Sequence, residues 1–392
     1  MKQPEISIDD LNWLASEEGE RAVRDAQQST RPLHLELAAA RKQFGAMRAS
    51  LAIGQVELRK RAEKKFGDWA GQLIWTETLL EQATDREIAH YKAKRFAGYE
   101  KLFDLCCGAG GDLFALAIHA QVTGYDQSPI ALFLARENAS RLGLKVATIC
   151  EDASHAPVIE ASAWHIDPDR RATAGRTSRL EFASPSVSEV RKMLLVNPNA
   201  AIKSAPADRE CELGNSETEM EWIGSRSECR QLVIWNGELA RHPGKRVATV
   251  VEHSCSQVTG EPHAPIEYAD NIGAFIHEPH NAVLGAELEN ALANSVGAKR
   301  VDPRAAYFSS ETLSPHPALS SYRVIEIMPF NLKTLNQWVR NHHVGVVEIK
   351  KRGVLVDPAK LRKQLPLRGD KSITLLLTPH RERVLALIVE RL

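Results

Sequence analysis

The stretch "KLFDLCCGAGGDLFALA", residues 101–117, decides how the middle of this sequence is read. Apolar Leu102, Phe103 and Leu105 fit a buried strand, residues 106–111 fit a tight turn, and "GDLFALAIHA" (111–120) opens a helix. Gly108, Gly110 and Gly111 let the backbone approach a ligand at the start of that helix, where free N–H groups favour negative charge. A dinucleotide-binding fingerprint fails in either frame, because Cys106 stands at its first glycine or Leu113 at its third.

The same alternation continues outward. Strands fit "KLFDLCC", "QVTGYD", "KVATICED", "SAWHID" and "NAAIKSA", and helices fit "GDLFALAIHA", "SPIALFLARENASRLG" and "SVSEVRKML". That order predicts an α/β fold with a parallel sheet and helices on both faces. Residues 220–260 are strand-rich and are expected to complete the sheet with antiparallel strands. Acidic residues recur where the strands end: Asp104, then Asp126, then Asp152, then Asp167-Pro168. Asp126, 22 residues after Asp104, can accept both hydroxyls of a ribose, and Asp152 can reach an adenine amine. Each has a plainer reading, since Asp104 or Asp152 can bond loop amides and Ser128-Pro129 is an ordinary helix start. Four in succession favour a nucleoside cleft at the carboxyl edge of the sheet.

Residues 1–95 read as a helical N-terminal domain, with Thr84 and Glu87 forming a capping box. Residues 96–264 hold the alternating region, and 265–392 read as α+β, clearest in "YRVIEIMPF", "NLKTLNQWVRNHH", "GVVEIKKRG", "DPAKLRKQL", "ITLLLTP" and "ERVLALIVERL". With 50 Lys plus Arg against 50 Asp plus Glu, no overall field attracts a polyanion, so such a partner must meet local basic patches. The six cysteines show no metal-ligand spacing and fit reduced cytosolic thiols, so no metal site is expected. "MKQPEISIDDLNWL" does not read as a secretory signal, and the apolar runs are too short to span a bilayer. A cytoplasmic protein without a membrane partner is the expectation.

"FDLCCGAGGD", "GYDQSPIALFLARENA", "CEDA" and "IDPDRR" resemble the successive motifs of class I S-adenosylmethionine-dependent methyltransferases. Together with "RKRAEKKF", "WTETLLEQAT", "VIEIMPFNLKTL" and "VEIKKRGVLVDPAKLRKQLPLRGDKSITLLLTP", they resemble the bacterial methyltransferases with a C-terminal THUMP-like domain, here about 320–392. A more distant resemblance links "LEQAT" before "FDLCCGAGG" to the trimethylguanosine synthases. The resemblance implies a Rossmann-like domain and S-adenosylmethionine as cofactor. It assigns to cofactor binding Thr84, Asp104, Cys106 (where many relatives have glycine), Gly108, Gly110, Gly111, Asp126, Gln127, Asp152 and Ala153.

Methyl transfer from a sulfonium mainly needs the nucleophile positioned and water excluded. Asp167 is expected to orient an acceptor amine, with Pro168 stiffening the turn. Arg170 and Arg171 suit phosphate contacts at the cleft edge, as do Lys350, Lys351 and Arg352 in the C-terminal region. THUMP domains in other enzymes bind RNA, so a base in structured RNA (tRNA or rRNA) is the expected acceptor. The alternatives are an RNA-binding protein that keeps a cofactor pocket without turnover, and a methyltransferase of a small molecule or protein. His165 reads as a core or cleft residue, and His342-His343 as a helix-end pair.

Overall fold

The computed structural model describes residues 6–169, 183–252 and 255–392. Two compact units divide the chain, one of Met1–Glu219 with Leu232–Pro243 and one of Met220–Gln231 with Gly244–Leu392.

The first unit opens with helices α1 (Ile8–Ala15), α2 (Glu17–Gln28), α3 (Leu33–Phe44), α4 (Ala46–Phe66), α5 (Glu77–Gln82) and α6 (Arg86–Ala93). Ser7 and Asp10 cap α1 reciprocally, and Gly45 and Gly67 bound α4 with positive φ values that a side chain would resist. Thr84 does not cap α6 as its spacing with Glu87 predicts. Asp85 takes the N-cap position, and the Thr84 hydroxyl is committed elsewhere. These helices share one core with the α/β region. Leu11, Trp13, Val23, Phe66 and Trp75 cluster with Leu134 of the later helix α8 (Pro129–Arg141). Asn138 of α8 also accepts from the Ile74 amide at 2.8 Å and donates to its carbonyl at 3.0 Å.

Alternation then proceeds as β1 (Lys101–Leu105), α7 (Gly111–Leu116), β2 (Gln121–Asp126), α8, β3 (Val146–Cys150), β4 (Ala163–Ile166), α9 (Val187–Val196) and β5 (Ala200–Ser204). The five strands run parallel in the order β3-β2-β1-β4-β5. Chain order reverses between β1 and β4, which opens a crevice beyond their carboxyl ends. β1, β4 and β5 are almost wholly buried, as expected of strands covered on both faces. The end of β7 (Glu228–Trp235) pairs antiparallel with β5, Ala201 opposite Trp235. Arg95 is buried nearby, donating to Glu219 Oε1 at 2.6 Å and to the Leu239 carbonyl at 3.2 Å, with its guanidinium over the Trp235 ring.

The second unit contains β6 (Glu219–Ser225) from Met220 on, β8 (Arg246–Val251) and β9 (Cys255–Thr259). β6 runs parallel to β8, not antiparallel as the strand-rich stretch suggested; β8 and β9 are antiparallel. Next come β10 (Phe275–Pro279), α10 (Asn281–Gly285), α11 (Glu289–Ser295), β11 (Lys299–Asp302), β12 (Ala305–Ser310) and β13 (Leu319–Pro329). The chain continues through α12 (Leu332–Asn341), β14 (Val344–Lys351), α13 (Pro358–Gln364), β15 (Lys371–His380) and β16 (Arg383–Arg391). They form a seven-stranded sheet ordered β11-β12-β10-β13-β16-β15-β14. Leu335, Val339 and Leu361 of α12 and α13 pack on Leu375, Leu377 and Ile388 of the sheet. Among the described residues no helix is long and apolar enough to cross a membrane.

Candidate active site

Backbone register brings the strand ends together. Asp104 lies opposite His165 on β4, Leu105 opposite Tyr125 on β2, and Asp126 opposite Cys150 on β3. Beyond them the Cys107 amide donates to the Tyr125 carbonyl at 3.0 Å and the Asp167 amide to the Leu105 carbonyl at 3.1 Å. The small-residue turn and Asp167 therefore flank the point where the sheet's order reverses.

The three glycines of the turn answer different demands. Gly108 has φ +54° and open space where a side chain would begin, so a ligand can approach its backbone. At Gly110, φ is +98° and a Cβ would lie 2.4 Å from the Phe114 ring. Gly111 is needed because the Thr84 amide nitrogen would lie 2.8 Å from its Cβ. Only Gly108 faces space a ligand can use; the other two shape the turn. Cys106 also adopts a positive φ, +58°, which in a non-glycine residue costs on the order of 1 kcal/mol. Its thiol points toward the Ser184 carbonyl at 4.0 Å. Burial, and then the carboxylates of Asp126, Asp167, Asp104 and Asp152, push that thiol well above its usual range. The same four strand-end carboxylates act on this one atom.

Asp126 holds the turn in place. Its Oδ2 accepts from the Gly108 amide at 2.9 Å and its Oδ1 from the Ser128 amide at 2.8 Å. Burial raises the Asp126 carboxyl, and these two amides oppose the rise without cancelling it. On the neighbouring strand end, Asp152 Oδ2 accepts from Gln127 Nε2 at 2.6 Å, so these two expected cofactor residues touch. The Ser154 hydroxyl and amide lower the Asp152 carboxyl. Ala153 is buried in the 3-10 turn beyond it.

Asp104 is placed inside the protein, 1% exposed, with Oδ1 bound to His165 Nδ1 at 2.7 Å. It is the innermost acidic end, two residues before the turn. Its Oδ2 has no hydrogen-bond partner among the described residues. An unpartnered buried carboxylate oxygen, an open backbone face at Gly108 and polar strand ends at Asp126 and Asp152 suit a nucleoside carrying a cationic tail. These residues fit S-adenosylmethionine.

Several functional-looking side chains are invisible in the motifs. Lys92 pairs with Asp112 at 2.8 Å, and its Nζ lies 3.2 Å from His165 Nε2. The two ring nitrogens of His165 thus link Lys92 to Asp104. Thr84 donates to Asp112 Oδ2 at 2.7 Å, and Lys203 donates to both Thr84 Oγ1 at 3.1 Å and Asp167 Oδ2 at 2.5 Å. Burial works against the Asp112 charge, but Lys92 and the other nearby cations outweigh it and hold the carboxyl well below the usual range. The sequence held a signal only for Lys203, a lone lysine inside the apolar strand "AAIKS".

Asp167 is partly exposed and Pro168 buried, as a carboxylate presented by a stiff turn requires. Arg170 and Arg171 lie outside the described residues. Lys350, Lys351 and Arg352 do not form one patch. Side chains alternate along β14 and its continuation, so Lys350 and Arg352 share a side and Lys351 does not. Glu278 of β10 accepts from Lys350 at 2.7 Å and from Arg352 Nε at 3.1 Å. Of the three, Lys351 is exposed and the other two are half-buried. Among the described residues no group of three or more His, Cys, Asp and Glu side chains is arranged to hold a metal ion.

A parallel sheet ordered 3-2-1-4-5, with a glycine turn after its first strand and carboxylates at successive strand ends, defines a nucleoside-binding α/β protein of the class I methyltransferase type. Comparison with known proteins agrees. The methyltransferase domain family matches residues 102–166, and the THUMP domain-like family matches residues 319–391. Two Mycobacterium tuberculosis proteins, from strains CDC 1551 / Oshkosh and ATCC 25618 / H37Rv, are uncharacterised S-adenosylmethionine-dependent methyltransferases. Each is 30% identical over 350 residues, covering 86% of this chain and 94% of its own. A crystal structure of a Porphyromonas gingivalis W83 protein assigned as a methyltransferase shares the fold, with a TM-score of 0.78 at 20% identity, covering 96% of this chain and 99% of that one. The chain belongs to the S-adenosylmethionine-dependent methyltransferases.

Proposed function

We propose that this enzyme methylates a base in structured RNA, with Asp167 orienting the acceptor amine. The observation that carries the reading is the Asp167 carboxylate: Oδ2 is held by Lys203, while Oδ1 has no partner among the described residues. A carboxylate with one oxygen fixed and one available can accept from an amine and set its lone pair toward an incoming group. The cofactor, when bound, supplies a methyl group already activated on sulfur. Asp126, Gln127, Asp152 and Ala153 would hold its nucleoside, with Cys106, Gly108, Gly110 and Gly111 forming the turn beside it. Asp104 lies buried at the end of β1, and Thr84 braces Gly111 from behind.

RNA is supported by the second unit. Arg340, Arg362, Lys363, Arg368 and Lys371 are exposed and have no ion-pair partner among the described residues. Arg340, His343 and Arg368 line a cleft of about 440 Å³ with Val344 and Gly369. Cations left unpaired in a chain of zero net charge are what a phosphate backbone requires. Replacing both Arg340 and Arg368 with Gln should weaken RNA binding and flatten its log–log salt slope by about one unit per lost phosphate contact. Titrations at several salt concentrations measure this. Parallel lines of equal affinity would mean that RNA does not use this cleft.

Loss of the Asp126 carboxylate should weaken cofactor binding by about 1–3 kcal/mol, which is the usual value of charge-assisted hydrogen bonds. Calorimetry on Asp126→Ala checks this, and wild-type affinity would remove Asp126 from the site. The acceptor class is tested by incubating the protein with methyl-labelled cofactor and separate RNA, protein and small-molecule fractions. Label entering RNA supports the reading. Label confined to protein or small molecules replaces it with the corresponding acceptor.

A further inference from the structure

We infer that Lys203 is a positioning residue for methyl transfer, acting through Asp167 and held in place by the buried Thr84–Asp112–Lys92 chain. The inference rests on the role proposed for Asp167 and extends it to residues that no motif marks.

Lys203 lies on β5, a strand buried along its whole length, with its side chain about one-tenth exposed. A lysine is placed there at a cost unless its ammonium is satisfied. Here the ammonium reaches Asp167 Oδ2 at 2.5 Å and Thr84 Oγ1 at 3.1 Å. Thr84 cannot swing to follow other partners. Its hydroxyl hydrogen goes to Asp112, and its backbone is wedged against Gly111. Asp112 is fixed in turn by Lys92, 2% exposed, which leans on His165 and so on Asp104. The chain of hydrogen bonds, with the Asp112–Lys92 ion pair as one link, thus runs Asp167, Lys203, Thr84, Asp112, Lys92, His165, Asp104. It begins at the proposed acceptor carboxylate and ends at the carboxylate whose second oxygen is unpartnered.

A carboxylate on a strand-end turn can rotate about its χ angles, and a misplacement of about 1 Å can cost on the order of 100-fold in rate. Lys203 removes that freedom for Asp167 by binding one oxygen from beneath. Its contacts are to Asp167 and Thr84, so its removal should act on turnover and spare cofactor affinity.

The test uses the full-length protein, methyl-labelled S-adenosylmethionine and an unfractionated extract of source cells lacking the protein, so that the natural acceptor is present whatever its class. Lys203→Met, Asp167→Asn and the double variant are compared for turnover, with cofactor dissociation constants from calorimetry. Lys203→Met is expected to lower turnover by about 10- to 100-fold with cofactor affinity within two-fold of wild type, and to cause no further loss in the Asp167→Asn background. Thr84→Val, which deletes the hydroxyl between Lys203 and Asp112, should lower turnover several-fold and cause no further loss in the Asp167→Asn background. It also stands in if Lys203→Met does not fold. Three results overturn the inference: full turnover in the single variants, equal losses in both backgrounds, or a loss confined to cofactor affinity. Full turnover in Asp167→Asn instead overturns the acceptor role of Asp167, and the role of Lys203 with it.

Discussion

Replacing Asp167 with asparagine is expected to lower methyl transfer by about 10²- to 10⁴-fold, the usual contribution of a positioned acid–base group. Asparagine keeps the size and one carbonyl oxygen, but it offers that oxygen or an N–H₂ group where a carboxylate offered two acceptors. Lys203 already claims one acceptor. The amide would give its oxygen to the lysine and turn its own donors toward the acceptor amine, which repels it. Cofactor affinity is expected to stay near wild type, because Asp126 and Asp152 lie on other strand ends. Single-turnover assays with saturating cofactor, read beside calorimetry, separate the two quantities. Undiminished turnover would remove Asp167 from the chemistry.

The parts of this candidate site that the sequence pointed to are those where the backbone itself is constrained. A strand that must end at a crevice, and a turn that needs positive φ or close approach, leave acidic residues and glycines at fixed spacing. Gly108, Asp126, Asp152 and Asp167 could therefore be found from one another. Lys92, Asp112 and Lys203 could not. Their partnership spans residues 92, 112, 165 and 203 and depends on which face of α6, α7 and β5 turns inward. Read alone, Lys92 belongs to the charged run "HYKAKR" and looks like part of a solvated helix face. The reverse holds at Lys350 and Arg352, which look like a basic run until Glu278, 72 and 74 positions away, takes both. Charge pairing across long sequence separations is decided by tertiary packing, and local patterns carry little trace of it.

The largest effect on stability is expected at Arg95. Its side chain and that of Glu219 are 2% and 0% exposed, and Glu219 also accepts from the Arg241 and His242 amides at 2.7 and 2.8 Å. Arg95→Met would leave a carboxylate buried without its cation and remove the guanidinium from the Trp235 face, costing about 3–5 kcal/mol. Denaturant unfolding measures the loss. Arg95→Met combined with Glu219→Gln should recover part of it, because the uncompensated charge is gone. Burial acts to raise the Glu219 carboxyl, but the Arg95 hydrogen bond and charge outweigh it and hold it below the usual range. A depressed carboxyl stabilises the fold above its unfolded value and loses that contribution as pH falls through the folded value. The wild-type advantage over Arg95→Met should therefore be full near neutrality and shrink in acid, below the ordinary glutamate range. A difference independent of pH would mean that packing alone sets the cost.

The chain leaves its first compact unit after Glu219, returns at Leu232 and leaves again after Pro243. Neither unit is therefore one continuous stretch of gene. An exchange that replaced either unit whole would have to move two separated segments at once. The THUMP-like stretch 319–391 is different, since it begins after the last crossing and holds β13, β16, β15 and β14 as consecutive neighbours. A single recombination event can carry it. Its cost would fall on one edge, where β13 would lose β10 and present unpaired backbone to the next partner. Moved on its own, the THUMP-like stretch would thus arrive with an open strand, ready to be adopted by whatever sheet receives it.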